Sequence, residues 1–315
     1  MPVEKQDRRL DLAAKAGWYY YINGDTQDAI ARKLQVSRQA AQRLVALAVS
    51  EKLIKFRLDH PIAECVALTE ALRDRFRLDY ADVTPDDGPE VRDGLGVAAA
   101  AYLEQLLASQ SPIVLGFGTG RTLRAAVEEL TPINRPQHRI LSLVGNMTGD
   151  GRASPFDVAV RLADRTGAQC YPMPTPVVAG SIAEKELLLT QRSVETVRNL
   201  AAQAKAFVVG IGPVCWNAPI QADGFLDEAE VGELLDAGAV GELISWPFDA
   251  DGAWIESGIV DRLMGTRPQA PPTSPTIAVA GGPDKTQAIR AALRGGLLTG
   301  LITDKATAET LLKGA

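Results

Sequence analysis

Arg38, Gln39, Gln42 and Arg43 are interleaved with Ala40, Ala41, Leu44, Val45 and Ala48. At about 100° per residue the apolar five gather on one face of a helix and the polar four on the other. Arg and Gln carry the paired donors and acceptors that match guanine and adenine edges in the major groove. A second kind of chemistry lies downstream. Gly116-Phe117-Gly118-Thr119-Gly120-Arg121-Thr122 leads from an apolar run into a helical pattern. Glycines let a ligand approach the backbone, a helix start offers free N–H groups, and Thr and Arg add donors. Gly145-Asn146, Gly210-Ile211-Gly212, Gly281-Gly282-Pro283-Asp284-Lys285 and Thr303-Asp304 follow other apolar runs. One such turn is weak evidence, because tight strand–helix packing also asks for glycine. Several at strand ends point to a polar small-molecule site. The first is neither a P-loop nor a dinucleotide fingerprint.

Lys285, just past a Gly-Gly turn, can hold a phosphate as a point charge. A cation is poorly placed at a helix start, which favours a functional reason for it. Glu242 either accepts sugar hydroxyls or is a solvated residue after Gly241. Asp304 reads as the cap of a helix over 305–312. Cys215 and Trp216 read as core. Arg121 and Lys285, with few acids in these turns, predict a field that favours a phosphorylated or acidic effector. The alternative is a neutral polyol held by Thr119, Asn146 and Glu242.

The elements that must position these groups fall into two sets. Helices are expected over 10–22, with Leu12, Ala13, Ala16, Tyr19 and Tyr20 inward, over 27–34, and from Arg38 to about Val49. Asn23-Gly24 stops the first, Thr26 caps the second and Ser37 the third. A helix, a tight turn and a second helix with outward early residues match helix-turn-helix docking. Thr26, Gln27, Ser37, Arg38, Gln39, Gln42 and Arg43 are therefore the DNA-contact candidates; a plain three-helix bundle with a solvated face is the bland alternative. Residues 53–58 alternate apolar and basic, as in a wing or exit strand. Residues 64–76 read as a helix whose Leu68, Leu72 and Phe76 offer a dimer seam or an inner face, and residues 85–89 as a polar loop. From about 90 onward, strands at 113–117, 139–144, 168–171, 206–211, 242–246, 276–280 and 300–303 alternate with helices at 122–130, 184–202, 285–293 and 305–312. That alternation predicts a mostly parallel α/β sheet covered on both faces, with ligands beyond the carboxyl ends of the strands. The expected domains are a helix-turn-helix unit over 1–60 and an effector-binding and oligomerisation unit over 61–315.

At ~150 residues per domain, 315 residues suggest about two domains. With 46% hydrophobic and 23% charged residues the chain is too apolar to be disordered. Cys65, Cys170 and Cys215 cannot close a disulfide framework, and His60 and His138 leave little for a zinc module. No metal and no cofactor is expected. No apolar run reaches ~18 residues, and the opening stretch lacks a signal-peptide core, so the expected setting is the reducing cytoplasm. Residues 1–60 hold eleven basic and seven acidic side chains, whereas the remainder holds twenty-two and thirty-two. A basic head on an acidic body suggests that only the head meets a polyanion.

In these residues the chain resembles the SorC family of sugar-binding bacterial transcriptional regulators. The head contributes Tyr19-Tyr20, Gly24-Asp25-Thr26-Gln27, Ile30-Ala31, Leu34, Ser37-Arg38 and Arg43-Leu44. The body contributes the 116–123 loop, Gly210-Ile211-Gly212, Gly238-Ala239-Val240-Gly241-Glu242 and, most specifically, the run from Ala280 to Lys285 followed by Leu301-Ile302-Thr303-Asp304. The resemblance implies a body similar to the ribose-phosphate isomerase, glucosamine-phosphate deaminase and CoA-transferase fold. It implies a sugar, polyol or sugar-phosphate effector, and dimers or tetramers on palindromic operators of a carbohydrate or polyol catabolic operon. Gly116, Gly118, Thr119, Arg121, Thr122, Gly145, Asn146, Glu242 and Lys285 would line the effector pocket. Phe117 stands where the family commonly has Trp, and Asn146 where a second Gly is common. The rival reading is an isomerase or deaminase on the same fold, with Glu242 as base and Lys285 as electrophile; the helix-turn-helix head speaks against it.

Overall fold

The computed structural model describes residues 2–51, 53–54, 62–85, 91–148, 151–154, 157–256 and 258–313, with backbone alone for 2–7. The chain divides into two compact units, Met1–His60 and Pro61–Ala315.

The first unit is three helices: α1 (Pro2–Tyr21), α2 (Gln27–Leu34) and α3 (Arg38–Ser50). Gly24 turns the chain at φ 68 after α1. Thr26 Oγ1 accepts from Ala29 N–H at 3.3 Å and Ser37 Oγ from Ala40 N–H at 3.2 Å, so both helix starts are capped as the sequence predicts. Gln35 closes α2 in the left-handed region, at φ 54. Ala13, Ala16, Ile30, Ala41, Leu44, Val45 and Ala48 form the core. Small residues at 13, 16, 41 and 48 let α1 and α3 pack closely. Two expectations change. Helix α1 starts well before Leu10, and Tyr20 is exposed, meeting Tyr21 edge-on at 4.9 Å. Of the expected wing strand, Leu53 and Ile54 form a bend and residues 55–58 lie outside the described residues.

The second unit runs α4 (Ile62–Phe76), β1 (Tyr80–Thr84), α5 (Val91–Leu107), β2 (Val114–Phe117), α6 (Arg121–Glu129), β3 (Arg139–Met147), α7 (Val158–Thr166), β4 (Gln169–Pro176), α8 (Ile182–Leu189), α9 (Arg192–Ala201), β5 (Ala206–Val209), β6 (Ile211–Pro213), α10 (Pro219–Ala222), α11 (Glu228–Asp236), β7 (Gly241–Leu243), β8 (Trp246–Phe248), β9 (Thr276–Val279), α12 (Thr286–Arg294), β10 (Gly300–Asp304) and α13 (Lys305–Lys313). Seven strands make a parallel sheet in the order β1-β10-β9-β5-β2-β3-β4. Both faces are covered, so adjacent residues serve different cores. In β3 Ile140 joins one and Leu141 the other; in β10 Ile302 and Leu301 divide likewise. This double burial is why these strands read as continuous apolar runs.

Chain order runs outward one way over β2, β3 and β4, then returns to the other side of β2 with β5. A crevice opens at such a reversal, beyond the carboxyl ends of the strands. Above it sits a feature the sequence reading did not anticipate, an antiparallel sheet β6-β7-β8. The expected strand 206–211 breaks at Gly210, where Ile211 leaves for this small sheet. The expected strand 242–246 is a hairpin turning at Ile244-Ser245. The expected helix 184–202 is two, α8 and α9. Strand β1 and helices α5, α7 and α11 carried no clear signal. The dimer seam is also corrected: Leu72 is fully buried, and Leu68 and Phe76 pack on the same core, so this face is spent within the chain. Of the 85–89 loop, residues 86–89 lie outside the described residues.

Candidate functional site

On α3 the residues Arg38, Gln39, Gln42 and Arg43 are all exposed, opposite the buried Ala41, Leu44, Val45 and Ala48. Arg38 Nε lies 3.7 Å from Asp28 Oδ1, an exposed pair that DNA can displace at little cost. Thr26 and Ser37 are committed to capping, which leaves their hydroxyls secondary for contact. Gln27 is partly buried at the start of α2. A free polar face at the N-terminal end of the second helix of a helix-turn-helix is the arrangement that enters a major groove.

In the second unit a cavity of about 420 Å³ opens at the β2/β5 reversal. Three turns, after β2, β5 and β9, and one hairpin build it. After β2, Gly118 donates its N–H to Val208 O at 3.0 Å. A Cβ on Gly118 would come within 3.1 Å of Ile244 Cγ2 and 3.4 Å of Val209 Cα. Gly120, at φ 130, then starts α6, so Thr119, Arg121 and Thr122 line the cavity. After β9, Gly282 N–H donates to Asp304 Oδ2 and to Thr307 Oγ1, each at 2.9 Å. Asp304 Oδ1 meanwhile accepts from Thr307 N–H at 2.9 Å, which is the expected cap of α13. One buried carboxylate thus fixes both a helix start and the turn that presents Lys285.

Glu242 stands on β7, and the two residues that turn the hairpin after Leu243, Ile244 and Ser245, have φ 48 and 72. A type I′ turn asks for such angles and usually fills them with Asn-Gly. A β-branched residue there costs on the order of 1–3 kcal/mol and persists only where the surroundings impose it. They do so here. Ser245 N–H donates to Glu242 Oε2 at 2.7 Å, and the Ile244 side chain packs beside Gly118. A Cβ on Gly212 would sit 2.2 Å from Glu242 Oε1, so the facing strand leaves room for the carboxylate. Burial pushes the Glu242 carboxyl above its ordinary range, against the pull of Ser245 N–H and Lys285. Burial pulls the Lys285 ammonium down, while the Glu242 charge holds it up and Arg121 lowers it. Arg121 makes a forked pair with Asp223, at 2.7 and 3.2 Å. Arg121 is therefore paired with a carboxylate, and the Glu242 charge acts on Lys285; Arg92 lines the cavity as well.

Five of the nine sequence-predicted effector residues behave differently or contribute less directly. Gly116 lies inside β2, where a Cβ would strike the Phe207 ring at 2.5 Å, so it serves packing. Gly118 lies behind the wall. Gly145 and Asn146 do not follow β3 but extend it, and a Cβ on Gly145 would meet Pro176 O at 2.2 Å. Close strand pairing with β4 accounts for that glycine, and neither residue lines the cavity. Arg121 is present but held by Asp223. Thr119, Thr122, Glu242 and Lys285 come together as expected. Cys215 and Trp216 are exposed rather than core. The residues missed are Asp223, Arg92, Ile244 and Ser245. Asp223 carries no local signal, because its partner is 102 residues away. Among the described residues no group of His, Cys, Asp or Glu could hold a metal ion, and no helix is long and apolar enough to cross a membrane.

Comparison with known proteins gives a consistent picture. The family model described as "Putative sugar-binding domain" matches residues 60–313. The chain is 38% identical to the erythritol catabolism regulatory protein EryD of Brucella abortus (strain 2308), covering 96% of each. It is 32% identical to the transcriptional regulator LsrR of Klebsiella pneumoniae subsp. pneumoniae, over 96% of this chain and 93% of that one. Among solved structures, the full-length sorbitol operon regulator SorC from Klebsiella pneumoniae superposes with a TM-score of 0.73 at 22% identity, over 96% of this chain and 99% of that one. These relatives are named as transcriptional regulators, not as enzymes.

Proposed function

The chain belongs to the SorC family of sugar-binding transcriptional regulators, and from that premise we propose that it represses or activates a polyol catabolic operon by binding operator DNA through α3 and a short neutral polyol in the β2/β5 cavity. Arg38, Gln39, Gln42 and Arg43 read base edges, and Thr26, Gln27 and Ser37 stand beside the phosphates. It acts in the cytoplasm, as a dimer or larger homo-oligomer, because one helix-turn-helix reads one half-site.

The pairing of cations with carboxylates carries the effector class. Arg121 is engaged with Asp223, and Lys285 faces Glu242. A phosphate would have to break the Arg121–Asp223 pair or come close to the Glu242 carboxylate. A neutral polyol finds donors in Lys285, Thr119 and Thr122 and an acceptor in Glu242, with apolar walls at Leu95, Val144, Ile220 and Phe225. The similarity to an erythritol catabolism regulator points the same way. Calorimetric titration with free tetritols, pentitols and hexitols and with their phosphate esters tests this reading. Saturable binding of a free polyol, tighter than its phosphate ester, is expected. Binding of the ester alone would overturn it.

A further inference from the structure

Gly116, read from sequence as an effector residue, marks a different cavity. Phe207 and Leu143, the side chains its missing Cβ leaves room for, floor a recess of about 500 Å³ between α9 and residues 266–276. Val209 and Leu243 continue the floor. Ile244 lines both this recess and the effector cavity, so the strained hairpin turn is their shared wall. The volume lies within the range of small-molecule sites, which pair an apolar lining with a few convergent polar groups.

Two polar groups of the lining have no protein partner. Thr266 Oγ1 is buried without a hydrogen bond, although Thr266 N–H donates to Leu143 O at 3.0 Å. The Arg198 guanidinium, on α9, makes no ion pair with any described residue. Arg267 differs: it pairs with Glu256 at 2.6 Å and lies 5.2 Å from the Trp246 ring centre. Glu195 is the one acidic residue of the lining against two arginines. An exposed guanidinium without an ion pair, standing beside an apolar floor, selects a negative head on a carbon skeleton.

We propose that this recess is a second small-molecule site, for an amphiphilic anion whose skeleton rests on Phe207 and Leu243 and whose carboxylate, sulfonate or phosphate is held by Arg198. The site goes beyond the polyol cavity, and its test needs neither polyol nor DNA, so the two readings fail separately. The full chain is titrated with the fluorescent anion 8-anilino-1-naphthalenesulfonate and with N-phenyl-1-naphthylamine, the same skeleton without the charge. One sulfonate probe per chain is expected, at least about tenfold tighter than the neutral one. Arg198→Ala should bring the sulfonate down to the neutral level and leave the neutral probe unchanged. Ala202→Trp should weaken both, because Ala202 is exposed at the end of α9 and lines the recess. Absence of binding, equal affinity for the two probes, or indifference to both substitutions would overturn the proposal.

Discussion

The two units arrange their working groups in opposite ways. On α3 four polar side chains stand in solvent, with only the exposed Arg38–Asp28 pair among them, while a separate buried face holds the helix. In the cavity several working groups are held by others: Glu242 by Ser245 N–H, Arg121 by Asp223, and the turn before Lys285 by Asp304. Exposed contacts can be removed one at a time with nearly additive effect, whereas groups sharing a network fail together. The head should therefore separate function from stability, and the cavity should not.

Four measurements press on that contrast. The largest effect is expected for Glu242→Ala. It strips the strained turn of its acceptor and removes the Glu242 charge from beside Lys285, which should cost roughly 3 kcal/mol of unfolding free energy, the upper end for a buried donor left unsatisfied, together with polyol binding. Denaturant unfolding checks it; a wild-type midpoint would mean the hairpin does not depend on that carboxylate. Next come Arg38→Ala, Gln39→Ala, Gln42→Ala and Arg43→Ala. A base-contacting member should lose ~1–3 kcal/mol of operator affinity, with preference relaxed at one position. Unfolding should stay within about 0.5 kcal/mol of wild type. Four variants that all bind like wild type would remove α3 as the reading helix. Lys285→Ala is smaller. Loss of one hydrogen bond to a neutral hydroxyl should weaken polyol binding by about 1 kcal/mol, nearly independent of salt. A larger loss that shrinks with salt would signal a charged ligand.

The smallest effect is in pH. Burial raises the folded Glu242 pKa, so the folded state holds this proton to higher pH than the unfolded chain does. Stability is lost as pH rises through that interval, and Glu242→Gln lacks the loss. As pH rises above about 4, the ordinary carboxylate range, the wild-type Tm should fall relative to Glu242→Gln. Lys285 shifts the other way, its ammonium lowered by burial. A constant difference across the interval would mean that Glu242 is solvated.

What was legible follows from the same contrast. Helix periodicity and two caps gave α1 to α3 and their outward face, because a helix surface is local in sequence. Alternating apolar runs and glycine turns gave most of the parallel sheet and the loops at its carboxyl ends. Three things were hidden. Gly145 and Gly116 look like ligand glycines, yet their missing Cβ atoms make room for Pro176 O and for Phe207. The Ile244-Ser245 turn has none of the residues that such angles favour, so a hairpin passed for a strand. Asp223 reaches Arg121 across the fold, 102 residues away, so no local pattern announces that pairing.

The most direct test joins both units. Fluorescence anisotropy of labelled DNA from upstream of the gene would be followed with wild-type protein while free polyols and their phosphate esters are added. A free polyol should shift the operator affinity at concentrations that also saturate the calorimetric site, and Arg43→Ala should lower operator affinity without changing that polyol's Kd. A shift produced only by a phosphate ester, or an operator affinity that no polyol alters, would contradict the account.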